Sequence, residues 1–138
     1  MALRVLVVDD DQDIRTVLRA TLERHGCEVS EAKDGIAIAA TARECQPDVI
    51  VLDIKMPGVD GFETLQALQG SDSTRDIPVA MLTAMSDMSA IERAIEGGAT
   101  GYLTKPFSVD HLYDQLEAVI AKARETSGHK LVAYPCVI

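Results

Sequence analysis

Val49-Ile50-Val51-Leu52-Asp53-Ile54-Lys55-Met56-Pro57-Gly58 carries four consecutive apolar residues, then an acid, then a proline–glycine turn signal. A strand apolar on both faces belongs inside a parallel sheet with both faces covered. The form recurs on either side. Leu3 to Val8 is a short apolar run that stops at Asp9-Asp10-Asp11. Pro78 to Leu82 ends at Thr83-Ala84, and Gly101 to Thr104 ends at Lys105-Pro106. Cys27 to Ala32 reads as a weaker strand. Between these runs lie helical stripes. Ile14, Val17, Leu18 and Leu22 form the first, and the alanine-rich Ile36 to Cys45 the second, with Asp34 as its expected N-cap. Phe62, Leu65 and Leu68 mark the third, and Met88, Ile91 and Ile95 the fourth. Leu112, Leu116, Val119 and Ile120 mark the fifth, started by Ser108. His25-Gly26, Pro47, Asp60-Gly61 and Gly97-Gly98 punctuate the series. Five β-α units with short connections imply an α/β fold, with a five-stranded parallel sheet and helices on both faces.

The polar residues that close the strands fall at one end of that sheet. In an open α/β sheet this carboxyl end is where ligands bind. If the first and third strands are neighbours, they lie about 4.8 Å apart, and the carboxylates of Asp9, Asp10 and Asp53 crowd one pocket. Crowded carboxylates repel unless one stays protonated or a cation sits among them. Hard oxygen donors supplemented by water suit Mg²⁺. Such an ion can neutralise charge on a phosphoryl group in transfer, and an Asp carboxylate can be the nucleophile. Lys105 would then face one phosphoryl oxygen and the Thr83 hydroxyl another. Asp11 and Asp13 read as helix-capping acids, Asp60 as a turn residue, and His25, His111 and His129 lack metal-ligand spacing.

Composition bounds the rest. The 138 residues suit one domain, and 47% hydrophobic with 25% charged is ordinary globular composition. A net charge of −9 argues against this segment binding nucleic acid or an anionic membrane surface. Cys27, Cys45 and Cys136 stand too far apart for metal or redox spacing and read as reduced thiols of a cytoplasmic protein. Met1-Ala2-Leu3-Arg4 has no signal-peptide pattern, and no apolar run approaches membrane-spanning length. Residues 124–138 break the composition: Glu125 to Lys130 resemble a linker, and Leu131 to Ile138 are apolar without a period.

Four blocks in order make the sequence similar to the receiver domain of two-component response regulators. They are Val7-Val8-Asp9-Asp10, the stretch from Leu52 through Asp53 to Gly61, Leu82-Thr83-Ala84, and Gly101-Tyr102-Leu103-Thr104-Lys105-Pro106-Phe107. The resemblance covers roughly residues 3 to 123, so that residues 1–123 read as the receiver and 124–138 as a linker or tail. It implies the flavodoxin-like doubly wound strand order 2-1-3-4-5. It also implies that Asp53 accepts phosphoryl from a phosphohistidine on a sensor histidine kinase or a phosphotransfer protein. Asp10, Asp53 and the Lys55 backbone carbonyl would hold Mg²⁺, for which Mn²⁺ can substitute, with Asp9 acting through water. Thr83 and Lys105 would bind the phosphoryl oxygens, and the Lys105–Pro106 bond would be cis. Thr83 and Tyr102 would be the switch pair. They would reshape the face of the fourth helix, fifth strand and fifth helix for a downstream protein partner or for homodimerisation on phosphorylation. Lys55 and Met85 stand where receivers vary, and are expected to set the acyl-phosphate lifetime.

Two other classes compete. A metal-dependent aspartyl-phosphate hydrolase places a second Asp two residues after the nucleophile, where this chain has Lys55. A phosphorylation-independent interaction domain on the same fold has no use for the intact acidic set. The expectation is therefore a switch protein that assists its own phosphorylation and slow dephosphorylation, not a turnover enzyme.

Overall fold

The computed structural model describes residues 3–56, 58, 60–84, 88–105 and 108–126. Strands and helices alternate throughout: β1 (Arg4–Val8), α1 (Gln12–Glu23), β2 (Glu28–Ala32), α2 (Ile38–Cys45), β3 (Val49–Asp53), α3 (Gly61–Gln69), β4 (Val79–Ala84), α4 (Met88–Glu96), β5 (Gly101–Lys105) and α5 (Leu112–Thr126). The strands form one sheet in the order β2-β1-β3-β4-β5, every pair parallel, as expected. The expected Lys105–Pro106 cis bond, Met85, Phe107 and the apolar tail Leu131 to Ile138 lie at least in part outside the described residues.

Strand alternation splits the core in two. Leu6, Val8, Ile50, Leu52, Val79 and Met81 face Ile38, Ala42, Leu65, Leu68, Ala90 and Ala94 of α2, α3 and α4. Val5, Val7, Val49, Val51, Ala80 and Leu82 face Leu18 and Leu22 of α1 and Leu112, Leu116, Val119 and Ile120 of α5. Both faces are thus covered, which is why the central strands read as unbroken apolar runs. β2, at the edge, is only partly buried, matching its weaker pattern.

Local differences from the sequence reading have physical causes. Val17 is 43% exposed, because it lies about 100° round α1 from Leu18, off the line that Ile14, Leu18 and Leu22 make at intervals of four. Met88 is 58% exposed and Ile95 only partly buried, while α4 buries the expected Ile91 together with Ala90 and Ala94. Asp34 does not cap α2. Its carboxylate accepts from the Ile36 N–H at 3.0 Å in a tight local turn, and the helix starts only at Ile38, after Ala37 in the left-handed region at φ 56°. Asp60 does more than turn the chain. It accepts from the Glu63 N–H at 2.9 Å while Glu63 accepts from the Asp60 N–H at 3.2 Å, a reciprocal cap on α3. Gly26 ends the α1 turn at φ +83°, as its position after His25 implied. Ser108 does not start α5, which begins at Leu112; its carbonyl accepts from the His111 N–H at 3.2 Å in the turn before the helix.

Candidate functional site

Register assembles the site. Val8 pairs with Leu52, so the next residues, Asp9 and Asp53, emerge side by side at the carboxyl ends of β1 and β3. Asp53 pairs in turn with Leu82, beside Thr83, and Ala84 pairs with Lys105. One ligand oxygen from each of Asp9, Asp10 and Asp53 lies within 4.8 Å of the others. Asp9 is fully buried and Asp53 nearly so, whereas Asp10 is exposed. The pocket therefore has two acids in its floor and one at its lip.

Asp53 is held from two sides. Its Oδ1 accepts from the Lys105 ammonium at 3.2 Å and from the Lys55 N–H at 3.3 Å. Lys105 is about one-third exposed, so its charge is available from the solvent side. The start of α3 sits directly on this backbone. The Gly61 N–H donates to the Ile54 carbonyl at 2.9 Å. A Cβ on Gly61 would lie 2.4 Å from the Asp53 carbonyl oxygen and 2.6 Å from the Ile54 Cα, so only glycine fits.

Asp9 is the strained member. Its Oδ1 accepts from the Asp11 N–H at 2.9 Å. Its Oδ2 is buried without a hydrogen-bond partner, 3.7 Å from the Lys105 nitrogen. Burial pushes the Asp9 carboxyl up to about 6, the Asp53 carboxylate adds to the rise, and the Asp11 N–H and Lys105 oppose it. An orphaned carboxylate oxygen amid two further acids is a donor set that fits a hard divalent cation: three carboxylates, no sulfur and no imidazole.

The remaining expected residues take their places around this pocket. Thr83 is buried at the end of β4, alongside Thr104 in the ladder. Tyr102 is half-buried on β5 and packs against the cluster shared with α2, α3 and α4. Lys55 reaches Asp53 through its backbone N–H, with its side chain exposed. Sequence reasoning missed Arg15, whose guanidinium donates through Nη1 to the Asp9 carbonyl and through Nε to Glu31. No periodicity singles out a polar residue on an amphipathic helix. The available signal is position: Arg15 sits one turn after the N-cap Asp11, with the acid of Glu31 near the end of the adjoining strand. The Arg93 guanidinium over the Phe62 ring at 4.0 Å, which joins α4 to α3, was equally silent in the sequence.

The family model for the response regulator receiver domain matches residues 5–117. The chain is 40% identical over 119 residues to the DNA-binding dual master transcriptional regulator RpaA of Synechocystis, covering 86% of this chain and 49% of that protein. It is 41% identical over 132 residues to the transcriptional regulatory protein PrrA of Mycobacterium leprae, covering 94% of this chain and 56% of that one. The chain thus spans about half the length of these relatives. Among solved structures, the chemotaxis response regulator CheY4 of Vibrio cholerae superposes with a TM-score of 0.80 at 35% identity, covering 86% of this chain and 99% of that one. An acidic cluster at the carboxyl end of a 2-1-3-4-5 sheet, together with these matches, makes the chain a member of the response regulator receiver domain family of two-component systems.

Proposed function

We propose that Asp53 accepts a phosphoryl group from a phosphohistidine on a sensor histidine kinase or a phosphotransfer protein, and that the resulting acyl phosphate switches the domain. The observation that carries this reading is the Asp53 carboxylate, buried at the end of β3 yet bonded at 3.2 Å by a Lys105 ammonium that remains partly open to solvent. A carboxylate oxygen of Asp53 attacks phosphorus. The new P–O bond forms as the P–N bond breaks, and its electron pair returns to the imidazole of the donor. Lys105 shifts its charge from the carboxylate to a phosphoryl oxygen, and the Thr83 hydroxyl donates to another. Asp9, Asp10 and Asp53, with the Lys55 carbonyl, are the residues that would hold Mg²⁺ or Mn²⁺. Bound there, the ion supplies positive charge against both the crowded acids and the transferring group. Thr83 and Tyr102 carry the switch to the face formed by α4, β5 and α5, where a downstream protein or a second copy of the chain docks. At a net charge of −9 this segment passes its state on by protein contact rather than by touching nucleic acid. The domain works in the cytoplasm, as a phosphoacceptor rather than a turnover enzyme.

The test is intact mass after incubation with acetyl phosphate and Mg²⁺, beside Asp53→Asn. One added phosphoryl group in the wild type, none in the variant and none with chelator is the expected result. A wild type that gains nothing under any metal condition would leave an interaction domain that works without phosphorylation.

A further inference from the structure

We propose that Arg15, clamped by Glu31, is a positioning residue that fixes the Asp9–Asp10 peptide and so sets the affinity of the acidic pocket for a divalent cation. The proposal rests on reading that pocket as the Mg²⁺ and phosphoryl site. Its basis is a chain of contacts that runs from the surface to the pocket wall. Arg15 Nη1 donates to the Asp9 carbonyl at 2.5 Å, while Arg15 Nε donates to one oxygen of Glu31 at 2.9 Å. Arg19 Nε holds the other Glu31 oxygen at 2.5 Å, and Arg19 Nη1 reaches Glu23 at 3.0 Å. The Arg15 side chain is only 14% exposed, against 37% for Arg19. Arg15 therefore sits in the shielded part of the network, where a hydrogen bond to a carbonyl is worth more than at the surface.

The carbonyl that Arg15 holds belongs to the peptide joining the buried acid Asp9 to the exposed acid Asp10. The Asp9 N–H is fixed separately, donating to the Ala32 carbonyl at 3.1 Å. With both ends of Asp9 anchored, the plane of the following peptide is set, and with it the direction in which Asp10 leaves the pocket floor. A guanidinium offers Nε and Nη1 in one rigid plane, so it can grip Glu31 and the carbonyl together, which a lysine ammonium on a flexible stem does less well. Partners that orient metal ligands without touching the metal typically change affinity by about 10–100-fold when removed.

The experiment titrates Mg²⁺ onto the unphosphorylated full chain by calorimetry, then measures Asp53 phosphorylation by acetyl phosphate across the same Mg²⁺ range. Arg15→Gln is expected to raise the Mg²⁺ midpoint about tenfold, with the phosphorylation rate approaching that of the wild type once Mg²⁺ saturates. Arg15→Lys should fall between the two. Glu31→Gln, which leaves the guanidinium a neutral partner, should shift the midpoint in the same direction by less, and provides the test if Arg15→Gln does not fold. Arg19→Gln touches Glu31 but not Asp9 and should leave the midpoint near that of the wild type. A folded Arg15→Gln protein with lowered thermal stability and an unchanged Mg²⁺ midpoint overturns the proposal, leaving Arg15 a brace between α1 and β2. A wild type that neither binds Mg²⁺ nor takes phosphoryl overturns the reading of the pocket itself, and this proposal with it.

Discussion

The Asp9 carboxyl is fully buried, with one oxygen unpartnered, 3.7 Å from the Lys105 ammonium and crowded by two other acids, so in metal-free protein its ionisation works against folding. Its folded value is raised from 3.8 to about 6. A raised acid contributes stability that is fully present below about pH 3.8 and is lost as pH rises through about 6. Asp9→Asn removes this titration. In chelator, the variant should be more stable than the wild type at pH 8 by about 1–3 kcal/mol, and the gap should close towards pH 4. Urea midpoints of both proteins at the two pH values check this. Magnesium should reverse the ranking at pH 8 by stabilising the wild type far more than the variant. A wild type that is already the more stable in chelator at pH 8 would mean that the attraction of Lys105 outweighs the burial cost.

At the scale of elements, what joins β3 to α3 matters as much as either. Gly61 lets the first turn of α3 rest on the Asp53–Ile54 backbone, and the reciprocal Asp60–Glu63 cap starts the helix at that point. Gly61→Ala forces a Cβ to within 2.4 Å of the Asp53 carbonyl oxygen, a clash with backbone that no rotamer relieves. The substitution should cost about 2–4 kcal/mol of stability by overpacking and slow Asp53 phosphorylation, because the acceptor loop must shift. Thermal melts and acetyl-phosphate kinetics at saturating Mg²⁺ separate the two effects. Loss of stability with an unchanged rate would show that the loop moves without carrying Asp53. The site's charged residues were legible because apolar runs stop at them: Asp9 directly follows β1, and Asp53 and Lys105 are the last residues of β3 and β5. Periodicity also located the α5 stripe, with Leu112, Leu116, Val119 and Ile120 all buried. It did not separate Val17, which lies off the Ile14–Leu18–Leu22 line, or Met88, the first residue of α4, from the buried positions of their helices. Nor could it reveal Arg15 on the Asp9 carbonyl or His25 stacked on Tyr113 at 4.5 Å, since those contacts join residues whose proximity exists only once the sheet has formed.

At the scale of the whole molecule, the two cores share one sheet, so the domain is built to unfold as a unit, and an ion bound at its carboxyl rim would stabilise residues it never approaches. Leu22 offers the contrast. It is fully buried in the α1–α5 core, and its carbonyl accepts from the Cys27 N–H where the chain enters β2, at the opposite end of the strands from Asp53. Leu22→Ala should cost about 3–5 kcal/mol through lost burial and a residual cavity. Mg²⁺ at a hundredfold excess over its Kd should add about 2.7 kcal/mol to wild type and to this variant alike, because sites far apart with no shared partner combine additively. Urea unfolding of both proteins, with Mg²⁺ and with chelator, closes the cycle; the denaturant slope should stay constant while the midpoint moves. Asp53→Asn in the same cycle should lose most of the magnesium increment, since it removes a carboxylate from the pocket rather than a side chain from the core. An increment in Leu22→Ala smaller than in wild type by more than about 0.5 kcal/mol would mean that the far end of the sheet already biases the pocket. The α1–α5 core would then be part of the switch rather than its support.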